Sequence, residues 1–261
     1  ERAETIKTEM NKPVEDGGLW KETPEGGYYV NYRNIAPRKE EVVDTFIPYQ
    51  NLGPIFFGVV PPERAQTIFA RLDRGFNTYY LRKHGPMYVA TTVGGNERTV
   101  EDCSTAPWLG FLDVYLRSRL GVGDPLNRKR IFSLLLAHAY DVAGVPFAEG
   151  LGIFGDLTGG AGRQWDNGNF FHCLVSGIYG IERNKDGLFI SAPAPIEGFC
   201  FSHLDDLRWR DAVYTIHWQG EGDTIASVTL DGRKVAPADA DGTVYRLTKP
   251  EGHHKVVVKL K

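Results

Sequence analysis

The hydrophobic period of this chain changes once, near Gly180, and that change limits what it can fold into. Before Gly180 the apolar residues recur at helical spacing; after it they alternate every second residue. A chain of this kind predicts a helical region followed by a β region, with the composition shifting at Pro193 to Pro195. The expected division is therefore 1–192 and 193–261.

A single pattern repeats through the helical region. Residues 44–60 are apolar on nearly every side (Phe46, Ile47, Leu52, Ile55, Phe56, Val59) and predict a helix buried all round. Pro61-Pro62 ends it and opens a helix over 63–74, whose Ala65, Ile68, Phe69 and Leu72 form a single stripe. A polar loop over 75–104 leads to an apolar helix over 105–120, a turn, and a long helix over 126–143. A second long loop over 144–164 leads to a third apolar helix over 165–179. Two concentric layers account for this alternation, inner helices being covered on both sides and outer ones facing water. The fold expected is mainly α: an (α/α) toroid of helical hairpins, followed by a small antiparallel β cap. In the cap, 187–192, 213–219, 224–231, 243–247 and 254–261 are strand candidates, and Asp231-Gly232 is a hairpin turn.

Composition excludes several classes. The net charge of −3 and pI near 6.2 offer no basic surplus for a dedicated nucleic-acid binder. No apolar run approaches the roughly 20 residues that span a bilayer. Nothing at the start resembles a targeting segment, and the chain opens inside a helical stretch with no N-cap residue ahead of it, which predicts an upstream half of the same protein. Cys103, Cys173 and Cys200 are too scattered for a metal knuckle and read either as buried thiols or as one Cys173–Cys200 bridge.

Several segments together carry a resemblance. Glu1 to Asn11, then Trp20, then Gly27-Tyr28-Tyr29 form a helix–Trp–Gly–Tyr–Tyr series. Pro146-Phe147-Ala148-Glu149 precedes a Gly-rich stretch and Gln164-Trp165-Asp166-Asn167-Gly168. Gly187 to Ile190, Asp211 to Tyr214 and Leu230-Asp231-Gly232 follow. This series resembles the last three hairpins of the six-hairpin glycosidase superfamily, which holds glucoamylases, α-L-rhamnosidases and disaccharide phosphorylases. The resemblance implies about half of a six-hairpin barrel, a carbohydrate substrate, no cofactor and no metal. It places the general acid in a half that this chain lacks.

Glycoside hydrolysis needs an acid for the leaving oxygen and a base or nucleophile on the opposite face of the sugar. Glu149 is the candidate base, in an apolar setting (Val145, Pro146, Phe147, Leu151) that would raise its pKa; its plainer reading is a loop carboxylate paired with Arg163. Asp166 is the second candidate, although an Asp at a helix start is also a favoured N-cap. Asp44, Tyr49, Gln50 and Asn51 place polar groups at the mouth of an apolar helix, where the amides bond either backbone or sugar hydroxyls. His84, Trp108, Trp165 and Asn167 add candidate sugar contacts. The expectation is an exo-acting, inverting glycoside hydrolase. A disaccharide phosphorylase or a non-catalytic glycan-binding toroid is the alternative.

Overall fold

A computed structural model describes residues 1–34, 41–75, 104–105, 107–141, 148–152, 157–161, 164–194, 196–198 and 202–261. They divide into two compact units, Glu1–Phe170 and Phe171–Lys261.

The first unit opens with helix α1 (Arg2–Asn11) and a short 3-10 turn. A three-stranded antiparallel sheet follows, built from β1 (Trp20–Lys21), β2 (Tyr28–Asn34) and β3 (Glu41–Phe46) in that order. Trp20 is buried and meets the edge of the Tyr29 ring at 5.1 Å, while the Arg64 guanidinium lies over it at 4.3 Å. Gly27 is required there, because a Cβ on it would come within 2.2 Å of the Trp20 ring. Helices α2 (Pro48–Phe56) and α3 (Pro62–Gly75) pack on β2. Strand β4 (Ser104–Thr105) leads into α4 (Pro107–Leu120), which packs on α5 (Pro125–Asp141). Strands β5 (Ala148–Gly152) and β6 (Leu157–Ala161) join β4 in a second antiparallel sheet, and α6 (Gln164–His172) follows. Leu52, Ile68, Phe69, Leu109, Phe111, Val114, Ile131 and Phe132 are fully buried and form the core that the helices share.

The second unit begins in the last residues of α6, continues through a π-helical stretch (Cys173–Ile178), and then turns entirely to strands. Strands β7 (Ile181–Asn184) and β8 (Gly187–Ile190) form a hairpin. A five-stranded sheet is built from β9 (His203–Trp209), β10 (Asp211–Gln219), β11 (Ile225–Leu230), β12 (Arg233–Val235) and β14 (Glu251–Leu260). Its order is β12-β11-β14-β10-β9, and β13 (Tyr245–Leu247) instead joins β8 and β7. The two sheets share one core: Ala212, Tyr214, Ile216, Val228, Val256 and Val258 from one meet Ile181, Leu188, Ile190 and Leu247 from the other. The Asp-Gly turn expected from the sequence forms, with φ 50° at Asp231 and 78° at Gly232, both in the left-handed region that a two-residue hairpin of this kind requires.

This architecture corrects the expected mainly α fold. The described residues form a mixed α/β protein, not half of an (α/α) toroid, and the likeness to six-hairpin glycosidases falls with the toroid. Three local reasons are visible. The helix expected over 44–60 would include Thr45, Phe46 and Ile47, but Pro48 disfavours a helical conformation in the residue before it and itself starts α2. The loop expected over 144–164 contains β5 and β6, because its small residues can pair as a ladder as readily as they can turn. The cap is also not purely antiparallel: β10 and β14 pair in parallel over their whole shared length. Short apolar runs do not distinguish a buried strand from a buried helix. The helix expected over 63–74 forms as α3, whose stripe Ala65, Ile68, Phe69 and Leu72 is buried.

The register makes a direct prediction. Ile216 is fully buried and Thr215, its neighbour on β10, faces outward. Ile216→Ala should cost about 2–5 kcal/mol in chemical denaturation, whereas Thr215→Ala should stay within about 0.5 kcal/mol. Equal losses would mean the strand is out of register.

Candidate functional site

Three strands of the first sheet meet at the Asp44 carboxylate, which β3 supplies. Tyr28 of β2 donates its hydroxyl to Asp44 Oδ1 at 2.5 Å, and Lys21 of β1 donates its ammonium to Oδ2. From α3 the Arg71 guanidinium lies 4.4 Å from the Tyr28 ring and 5.2 Å from that of Phe46. The bonds from Lys21 and Tyr28 hold the Asp44 carboxyl below the usual carboxylate range, against some desolvation. Burial, and then the bond to Asp44, push the Tyr28 hydroxyl up to about 12. Tyr28 is thus a fixed donor and Asp44 a fixed anion, with 39% of the Asp44 side chain open to water. Each carboxylate oxygen has two lone pairs, so Asp44 can still accept hydrogen bonds from a ligand's hydroxyls.

The neighbouring polar residues divide by burial. Asn51 is fully buried; its Oδ1 accepts from the Tyr29 amide at 2.8 Å, and its Nδ2 donates to the carbonyls of Tyr29 (3.2 Å) and Ile47 (3.0 Å). It stitches α2 to β2 through backbone groups. Tyr49 is 40% exposed, and its hydroxyl accepts from Gln50 Nε2 at 3.2 Å. Gln50 Oε1 is shielded from water and has no hydrogen-bond partner among the described residues. Of the four residues expected at this mouth, Asp44 and Tyr49 keep exposed polar atoms for a ligand, Gln50 Oε1 is shielded, and Asn51 spends its amide on the fold.

The remaining candidates are placed by backbone alone. Glu149 lies on β5, where the ladder slips: Ala148 pairs with Ala161 and Gly150 with Thr158, so Gly159 and Gly160 on β6 stand opposite the single residue Glu149, one extra residue on β6. Trp165, Asp166 and Asn167 occupy the first turn of α6, and Trp108 the first turn of α4. The side chains of these five residues, and the whole of His84, lie outside the described residues. Cys173 is buried and in no disulfide among the described residues, and Cys103 and Cys200 lie outside the described residues. Among the described residues no cluster of His, Cys, Asp and Glu could hold a metal ion, and no helix is long and apolar enough to cross a membrane.

Sequence reasoning passes over Lys21 and Arg71, and places Tyr28 only in a motif. It also passes over a buried charge cluster. Arg117 on α4 is fully buried and donates Nε to Asp113 Oδ1 at 2.9 Å and Nη1 to Asp73 Oδ1 at 2.7 Å. Asp73 also accepts from Asn127 Nδ2 (2.9 Å) and the Asp124 amide (2.8 Å), joining α3, α4 and α5. Burial pushes the Asp113 carboxyl up to about 6 although Arg117 opposes the shift, and Asp73, sharing the same cation, adds to it. The i, i+4 spacing of Asp113 and Arg117 is the available signal. Their burial is not readable from it.

No protein-family model matches this chain, and no curated protein matches it. The expected membership of the six-hairpin glycosidases therefore has no family match behind it, and the mixed α/β architecture described above contradicts it.

Asp113 makes a pH prediction. Its folded pKa lies above its unfolded value, so the native state holds the proton more tightly, and the stability gained from it is complete below about pH 4 and lost as pH rises through about 6. The difference in unfolding free energy between wild type and Asp113→Asn should therefore move in favour of wild type as pH falls from 7 to 4. Taking that difference cancels the titrating groups that do not couple to Asp113, and a difference constant with pH would contradict the assignment.

Proposed function

We propose that this chain cleaves a glycosidic bond, with Glu149 activating the water and the surface around Asp44 holding sugar hydroxyls. Such chemistry needs no toroid of helices. The observation that supports it is the register slip at Glu149, on a hairpin whose partner strand carries Gly159-Gly160. The extra residue lies on β6, opposite Glu149, and bulges twist the ladder locally and are enriched beside active sites. Attack by that water would invert the anomeric centre. Asp44 supplies what hydroxyls seek: an anion with open lone pairs, next to a tyrosine hydroxyl and an ammonium.

A second reading, glycan binding without turnover, is favoured by the same Asp44 cluster, which offers recognition groups without an acid and base facing each other.

Two variants separate them. Glu149→Gln should lower the rate on aryl glycosides by about 10²–10⁴-fold while oligosaccharide binding is retained, because a general base contributes about that much. A loss under about tenfold removes Glu149 from the mechanism. Asp44→Asn should weaken oligosaccharide binding in calorimetry. Weakened binding in that variant, with no turnover by the wild type on any aryl glycoside, would establish the binding reading.

A further inference from the structure

The outward face of the five-stranded sheet carries an arrangement of cations that the fold does not use. One row crosses all five strands in register: Lys234 of β12, Thr229 of β11, Val257 of β14, His217 of β10 and His203 of β9. One step along, Lys259 stands between Ser227 and Gln219. On the other side Lys255 pairs with Thr215, and beyond it His253 and Arg208 flank Val213. All these residues are exposed or half-exposed. The acids nearby lie at the margins: Asp211 and Glu251 pair at the strand starts, Asp231 sits beside Lys255 at the end of β11, and Asp205 sits 3.5 Å from His203 at the irregular end of β9.

Two facts make this more than a solvated surface. First, Lys234, Lys255, Lys259 and Arg208 make no ion pair among the described residues, and the carboxylate of Asp231, whose backbone lies beside Lys255, is instead paired with Lys249 and His254. The protein as a whole carries −3, so four uncompensated cations on one face are not a consequence of composition. Second, the residues between them are small (Thr215, Thr229, Ser227, Val213, Val257), which leaves the face low and open along its length. Five strands span about 19 Å across, and the Lys255 to Lys259 interval about 13 Å along β14. One small anion would meet one of these charges; an extended chain of anions meets all of them.

We propose that this face docks an anionic polysaccharide whose negative charges are uronate carboxylates. The lysines and Arg208 meet the carboxylates, and Thr215, Thr229, Ser227 and Gln219 bond to the sugar hydroxyls. These rows hold no Trp, Tyr or Phe on which unpaired bases stack, which sets the surface apart from single-stranded nucleic-acid platforms. Attraction of this type lies at the surface and is screened by salt.

Polygalacturonate immobilised on a sensor is the probe, with dextran as the neutral control and the whole chain as analyte. Wild type should bind polygalacturonate at low salt, lose affinity steeply as salt rises, and ignore dextran. Lys255→Glu/Lys259→Glu should lose about tenfold or more in affinity, and the milder Lys255→Gln/Lys259→Gln should lose less in the same direction. Arg183→Glu/Lys185→Glu changes the net charge equally but lies on β7 and its turn, and should leave affinity within about threefold. The unfolding midpoint of each variant checks folding. Absence of low-salt binding, equal losses in both charge-reversed pairs, or tighter binding to single-stranded DNA than to polygalacturonate would each overturn the proposal. None of these residues belongs to the Asp44 or Glu149 surfaces, so failure here and failure of Glu149→Gln to slow turnover are separate outcomes.

Discussion

A guanidinium removed from water must be answered by carboxylates, and the first unit is arranged around that requirement. Arg117 is fully buried, and its partners come from two helices: Asp113 one turn earlier on α4, and Asp73 at the end of α3. Asp73 in turn holds Asn127 of α5 and the amide of Asp124 in the turn before it. Asp124 accepts from the Leu126 amide at 2.9 Å and so caps the start of α5. Removing one member of such a cluster leaves an unanswered buried charge, which costs more than the pair gains. The cluster fixes three helices relative to one another, a task their apolar faces alone would leave open to sliding.

The second unit meets its constraint by alternation. Along β10, Ala212, Tyr214, Ile216 and Trp218 are buried while the residues between them are not, and β14 repeats the pattern with Val256 and Val258. A slip of one residue would reverse both faces, so the hydrophobic set itself locks the register. Asp231 pins one end: its carboxylate accepts from His254 Nδ1 at 2.9 Å, the Lys255 amide at 3.0 Å and Lys249 at 3.2 Å. These bonds outweigh desolvation and hold its carboxyl below the ordinary range.

Environment gives similar carboxyls opposite characters. Asp44, half open to water between Lys21 and Tyr28, is held as an anion available to a ligand. Asp113, without access to water, is pushed towards neutrality and serves the fold. The cations behave alike: Arg117 is consumed inside, while Lys255 and Lys259 stand on an outer sheet face with no ion-pair partner among the described residues.

The sequence by itself determined the elements whose signal is local and long. The α3 stripe, the alternation of β10 and β14, and the left-handed Asp231-Gly232 turn are all legible in it, because each is set by spacing or by one residue's backbone freedom. Asp44 stands out there as a polar group near an apolar run. Only the tertiary structure decided that Tyr28–Asn34 and Glu41–Phe46 pair in one sheet, that β10 and β14 run parallel, and that Lys21 and Tyr28 converge on Asp44. Strand partners lie far apart in the chain, and nothing in a strand's own period names the segment it will pair with. The toroid follows from local apolar runs, which a helix and a buried strand share; pairing between distant segments decided against it.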